Sequence, residues 1–198
     1  MQYLSESINI PVSEATAFKV LSDVKVILGL SPYWSLKELK SLSGGEAREG
    51  SIYEATIEYY GKEVTETHGI EMGEFIRDKK ISLKVENGIL KEISFLIEKD
   101  NKGIQLTHQF LLECEDEVIL KRTRSEIHFW LRSIGEYLKL AEGKTLWKRF
   151  MKWFMDRVWL RLTLSERNIA IIVTKISLLE LALLLLLVLI WNLFMRGQ

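Results

Sequence analysis

The sequence predicts an α+β domain, an antiparallel sheet covered by one long helix, with a membrane-crossing helix after it. Three observations predict it. Apolar residues recur at every second position between about residues 53 and 112, and at every third or fourth position before and after that stretch. Residues 176–195 are almost wholly apolar. Charge is also divided unequally. Residues 1–143 carry 18 Lys/Arg and 24 Asp/Glu, a net of −6, whereas residues 144–198 carry 9 and 3, a net of +6.

The chain opens with a strand-like segment, QYLSESINI, closed by Pro11. It has no basic, apolar leader of the secretory kind. A short helix follows, with Ser13 and Thr16 as a weak start signal and Ala15, Phe18, Val20 and Leu21 as its apolar face. Residues Ile27 to Trp34 read as a second short helix or turn that Ser31-Pro32 closes. The period then changes to two. Tyr53, Ala55, Ile57 and Tyr59 form one face of a strand, and Val64, Glu66, His68, Ile70 and Met72 one face of the next. Ile81, Leu83 and Val85, then Ile93, Phe95 and Ile97, then Ile104, Leu106, His108, Phe110 and Leu112 continue the series. Gly61-Lys62, Arg77-Asp78, Asn87-Gly88 and Asn101-Lys102-Gly103 fall between these runs as hairpin turns. The last helix of the domain is SEIHFWLRSIGEYLKLAEG, with Ile127, Trp130, Leu131, Ile134, Tyr137, Leu138 and Ala141 along one side. It is the one body element long enough to cover the apolar sheet face. The single cysteine, Cys114, excludes an internal disulfide and reads as a core residue. Glu54, Glu58, Glu63, Glu71 and Glu74 occupy the opposite, solvated sheet face.

This order of elements resembles the helix-grip order of the START-like (SRPBCC) superfamily of polyketide cyclases, coenzyme-Q-binding proteins and relatives of the birch-pollen allergen. SINIPVSEATAFKVLSDV is similar to that superfamily's usual opening, and SPYW, Ser31 to Trp34, matches its aromatic-Pro stretch. LSGGEAREGSIYEATI, with paired glycines and Gly50 before a strand, fits as well. The resemblance spans roughly residues 3–142 and contains no catalytic signature. It implies a curved sheet gripping the last helix, with an elongated apolar cavity between them. Members mostly bind lipids, sterols, quinones or polyketides, and a minority catalyse cyclisation or dehydration.

The inward face that strand parity defines supplies the candidate pocket residues: Tyr53, Ala55, Ile57, Tyr59, Glu66, His68, Ile70, Leu83, Phe95, His108 and Phe110, with Trp130 and Ile134 from the helix. His68 and His108 are the candidate acid–base pair, with Glu66 beside them. Their spacing is not that of a metal site, and no metal or cofactor is expected. His128, between Arg124 and Arg132 at helical spacing, belongs to a solvated face. Three functions follow from these residues and the resemblance: binding of a hydrophobic small molecule such as a lipid, isoprenoid or quinone; catalysis of the cyclase or dehydratase kind through the two histidines; or recruitment of a protein partner by a domain whose cavity is filled.

The tail sets the location. Ile176 to Met195 would span about 30 Å as a helix, the hydrocarbon thickness of a bilayer. Fourteen of its twenty residues are Leu, Ile, Val or Phe, which outweigh the single acid, Glu180. The preceding stretch, residues 144–168, reads as a basic amphipathic helix suited to an anionic membrane surface. Leu146, Trp147, Phe150, Met151, Phe154 and Val158 make its apolar side, and Trp147, Lys148, Arg149, Lys152, Trp153, Arg157 and Trp159 are the residues expected at the lipid headgroups. Adjacency to the span favours lipid over nucleic acid as the anion. Eight Lys/Arg precede the span against Arg196 beyond it, so the domain is expected on the cytoplasmic side of a single-pass, tail-anchored protein. The division expected is 1–143 helix-grip domain, 144–168 juxtamembrane helix and 169–198 anchor.

Overall fold

The structure, a computed structural model, describes residues 1–59 and 64–196. The chain forms two compact units, Met1–Thr163 and Leu164–Gln198.

In the first unit, strand β1 (Gln2–Ile10) leads into α1 (Glu14–Leu21) and α2 (Val24–Gly29). Six further strands follow: β2 (Trp34–Ser41), β3 (Ile52–Tyr59), β4 (Thr65–Ile76), β5 (Lys80–Val85), β6 (Leu90–Asp100) and β7 (Gly103–Leu112). The long helix α3 (Glu117–Glu142) comes next, then α4 (Leu146–Arg157) and a 3₁₀ turn, Trp159–Arg161. All seven strands form one antiparallel sheet in the order β1-β7-β6-β5-β4-β3-β2. The first strand therefore closes on the last, and the two small helices bridge opposite edges of the sheet.

Local chemistry explains the boundaries. Ser13 and Asp23 cap α1 and α2 by accepting from the backbone N–H of Thr16 and Val26. Asp116 does the same for Val118 and Ile119, which starts α3 eight residues before the stretch of clear sequence periodicity. Asp78 and Asn87 adopt positive φ (59° and 60°) in two of the hairpin turns, as short side chains permit. The expected turn at Gly61-Lys62 and the expected outward Glu63 lie outside the described residues.

Several expectations change. The second short helix, expected over Ile27 to Trp34, runs over Val24–Gly29, and Trp34–Ser41 is an edge strand that alternation did not mark. A bulge between Leu36 and Glu38 places the half-buried Leu36 and Leu39 three residues apart, which hides the alternation. A second bulge, between Met72 and Phe75, turns Phe75 inward against Phe18 and leaves Glu74 outside. In α1 the buried positions are Ala17 and Leu21, while Ala15 is exposed. Cys114 is half-buried just beyond β7, where its Sγ accepts from the Asp116 N–H. The outer sheet face is not a bare acidic surface, because Glu54, Glu58, Glu71 and Glu74 each pair with a lysine from a neighbouring strand.

The core is apolar and shaped by aromatic rings. Trp130 of α3 is 1% exposed and lies edge-on to Trp34, Phe95, His108 and Phe110, with centroids 4.9 to 6.4 Å away. Its indole N–H donates to the Ile27 carbonyl, and that of Trp34 donates to the Leu28 carbonyl, each at 3.1 Å. Two indoles thus satisfy the end of α2 from two different elements. Gly135 allows α3 to approach β1 closely: a Cβ there would lie 2.8 Å from Ile8 Cδ1.

Residues 144–168 form no single helix. They comprise α4, the 3₁₀ turn and the start of α5 (Leu164–Arg196). Helix α4 packs on α3 and is tied there by polar contacts. Tyr137 Oη donates to Asp156 Oδ1 (2.5 Å), and Lys152 Nζ donates to Asp156 Oδ2 (2.6 Å) and to Tyr137 Oη (3.1 Å). Burial, and then the hydrogen bond to Asp156, push the Tyr137 hydroxyl up to about 12, so it stays protonated. Met155 packs on the core beside this network.

The second unit is α5. Residues Leu164–Asn192 of this helix are long and apolar enough to cross a membrane, with a mean hydropathy of 2.5 over their most apolar 18-residue window. At 33 residues α5 spans about 50 Å, so it is longer than a hydrocarbon core is thick.

Candidate ligand pocket

A cavity of about 430 Å³ opens between the first two turns of α3 and the sheet. Its walls come from the sheet, from α2 and from α3. Ile57 and Ile70 project from the paired strands β3 and β4, Ile93 from β6, and Phe110 and Leu112 from β7. Leu28 and Trp34 close the inner end. Helix α3 lays Ile119, Thr123 and Glu126 along the opening, an i, i+4, i+7 stripe, with Arg122 beside them. The Asn87-Gly88 turn and Ile89 form part of the rim.

Polar groups sit at that rim and not in the floor. Register pairs Ile57 with Glu66 and Ala55 with His68, which brings both polar side chains to the β3–β4 edge of the opening. His68 Nε2 lies 3.2 Å from Tyr59 Oη and 3.5 Å from Glu66 Oε2, and its Nδ1 lies 3.3 Å from the Asn87 carbonyl oxygen. A carbonyl only accepts, so Nδ1 donates to Asn87, and Nε2 is left facing the Tyr59 hydroxyl and the Glu66 carboxylate. Burial, reinforced by the charges of Glu66 and Glu126, raises the Tyr59 hydroxyl above its ordinary value and keeps it protonated. Glu126 accepts from Arg122 Nε at 3.0 Å. The arrangement can hold an apolar body inside and satisfy a polar end at the mouth.

The expected pocket residues divide. Ile57, Tyr59, Glu66, His68, Ile70 and Phe110 line the cavity. Tyr53, Ala55, Leu83, Phe95, His108, Trp130 and Ile134 do not; they are packed together as core, each 8% exposed or less. The elongated void that the resemblance implies is therefore shortened by an aromatic plug.

His108 shows why. Its ring is fully buried, stacked on Phe95 at 4.5 Å and met edge-on by Phe110 and Trp130 at 4.9 Å each. Among the described residues neither ring nitrogen makes a well-formed hydrogen bond. Burial lowers its pKa from 6.5 to about 3, with the nearby Ile127 backbone opposing the shift only in part, so the ring is neutral. His68 is at the mouth and His108 is enclosed in the plug, so the two form no acid–base pair. Among the described residues no group of three or more His, Cys, Asp or Glu is placed to hold a metal ion.

The expected membrane-surface residues divide as well. Trp147, Lys148, Arg149, Trp153 and Arg157 are exposed on α4. Lys152 faces Tyr137 and Asp156, and Trp159 is half-buried in the 3₁₀ turn. Met151 and Phe154 are half-buried too, so the apolar side expected of this helix is split between the body and solvent.

No protein-family model and no curated protein matches the sequence. Solved structures do. A protein of Nitrosomonas europaea superposes with a TM-score of 0.56 at 11% identity, over 69% of this chain and 94% of its own. The Aha1 dimer from Colwellia psychrerythraea gives 0.52 at 15% identity, over 72% and 100%. Ara h 8.0201 gives 0.52 at 16% identity, over 69% and 97%. The fold of this chain is the helix-grip fold these structures share.

The state of His108 has a measurable consequence. An unfolded chain binds a proton at this residue below pH 6.5, whereas the folded one does so only near pH 3. The stability it contributes is complete above about pH 6.5 and is lost as pH falls toward 3. Between pH 7 and 4.5 the unfolding free energy of the wild type should fall by about 2–3 kcal/mol more than that of His108→Phe, measured by denaturant titration. Parallel curves would mean that the ring charges within the fold.

Proposed function

We propose that this protein binds a hydrophobic small molecule, a lipid, isoprenoid or quinone-like compound, and is held at a membrane while doing so. The observation that carries the reading is the cavity itself, apolar at its inner end and polar at its rim. The START-like fold supports it. The absence of a hydrogen-bonded histidine pair removes the support for the cyclase or dehydratase reading. A recruited protein partner has no observation in its favour.

The membrane part of the proposal rests on residues 176–195. They supply an uninterrupted apolar run, and the excess of Lys/Arg before it favours a cytoplasmic domain. Tethering raises the effective concentration of membrane-dissolved ligand at the cavity without any new contact. The division into a domain over 1–143, a juxtamembrane segment over 144–168 and an anchor over 169–198 belongs to this proposal.

Ligand occupancy is tested on the full chain purified in detergent. Native mass spectrometry should find a co-purifying lipid-like species on the wild type and little or none on Ile119→Trp, whose side chain would fill the cavity from half-buried α3. Equal occupancy of both, or an empty wild type, would contradict pocket binding. Anchoring is tested separately. Wild-type chain should remain in the membrane pellet after carbonate extraction, while replacing Leu185 and Leu186 together by Arg adds about 5–7 kcal/mol at the span's centre and should release it. Release of the wild type would end the anchor reading.

A further inference from the structure

Helix α4 presents a surface that nothing in the folded unit covers. Leu146, Phe150, Trp153 and Arg157, at i, i+4, i+7 and i+11, form one stripe, and Trp147 flanks it. Leu146 is 82% exposed, Trp147 68%, Phe150 52% and Trp153 54%. The three rings follow one another along the helix with centroids 5.9 Å apart. Such a row of large exposed apolar groups marks an interaction surface.

We propose that this outward face of α4 docks on the headgroup layer of an anionic lipid bilayer, with Trp147, Phe150 and Trp153 entering it and Arg149 and Arg157 meeting the lipid charge. The proposal rests on the anchor reading above. The face keeps Leu146, Trp147 and Phe150 of the side that sequence periodicity suggests but omits Met151 and Phe154, which are half-buried.

Three further observations select lipid as the occupant. The first is charge. Asp156 is the one acidic residue in α4, and it is held by Lys152 and Tyr137 on the body side. Arg149 and Arg157 have no acidic partner among the described residues, so the exposed face is positive. The second is chemistry. Trp and Phe beside Arg is the composition that favours a membrane interface, where rings sit at headgroup depth and guanidinium groups reach phosphate. The third is reach. Arg157 lies nineteen residues before Ile176, where the apolar run begins, so the chain is long enough for the aromatic row to reach the bilayer that holds that run. The hydrogen bonds of Tyr137, Lys152 and Asp156 fix the rotation of α4 about its axis, and so set which face is free.

Spin-label accessibility in the full chain tests this. On a Cys114→Ser background, one label is placed at Phe150→Cys and a control label at Thr67→Cys on the outer sheet face. Each chain is reconstituted in phosphatidylcholine vesicles with and without phosphatidylglycerol. The label at 150 should be shielded from an aqueous nickel chelate and open to oxygen, more so with phosphatidylglycerol present, while the label at 67 stays accessible to nickel. Replacing Trp147 and Trp153 by Ser should abolish the shielding at 150. Equal nickel access at 150 and 67, in chains that survive carbonate extraction, overturns docking and leaves the anchor intact. Extraction of the chain by carbonate removes the anchor and docking together.

Discussion

The indole of Trp130 joins the parts of this fold that sequence separates most widely. It donates to the Ile27 carbonyl at the end of α2, packs edge-on to Trp34 of β2, and faces Phe95, His108 and Phe110 on the central strands. A buried N–H without a partner would cost about 1–3 kcal/mol, so α3 must sit where the end of α2 can accept from it. That single requirement aligns the long helix on the sheet and carries the rim residues of its first turns into place.

The same cluster decides where the interior is empty. Rings from β6, β7 and α3 fill the space under the middle of the helix, and His108 is one of them, kept neutral by burial. The void survives at the N-terminal end of α3, where Thr123, Ile119 and Glu126 face Ile57, Ile70 and His68 across the opening. Apolar atoms inside and polar atoms at the rim are the arrangement an amphiphile needs. At the far end of α3, Tyr137 ties down α4. Cavity and aromatic row are thus organised by opposite ends of one helix.

Alternation revealed the central strands because each has one buried face, and Asn87-Gly88 marked its hairpin by the φ it needs. Strand β2 was hidden by a bulge and by its edge position, where Lys37 and Lys40 face solvent-side carboxylates. The first turns of α3 are masked by exposed residues such as Val118, so the rim residues Ile119, Arg122, Thr123 and Glu126 escaped notice, although they extend the Ile127–Trp130–Ile134 stripe backward. Parity also separates inward from outward only. It cannot tell a residue that touches a void from one that touches another ring, and for that reason His68 and His108 looked equivalent. The apolar period of α4 likewise gave no sign that Lys152 and Asp156 bind Tyr137, a contact between residues 15 and 19 positions apart.

The central claim is that an aromatic plug confines ligand to the end of the interior beneath the first turns of α3. Isoleucine-methyl NMR of the full chain, titrated with dodecanol as an apolar probe, tests it directly. Methyl signals of Ile57, Ile70, Ile93 and Ile119 should shift in step with one another, while those of Ile10, Ile104 and Ile134 stay in place. Shifts spread equally over both groups would show that the plug opens and that the cavity runs the length of α3.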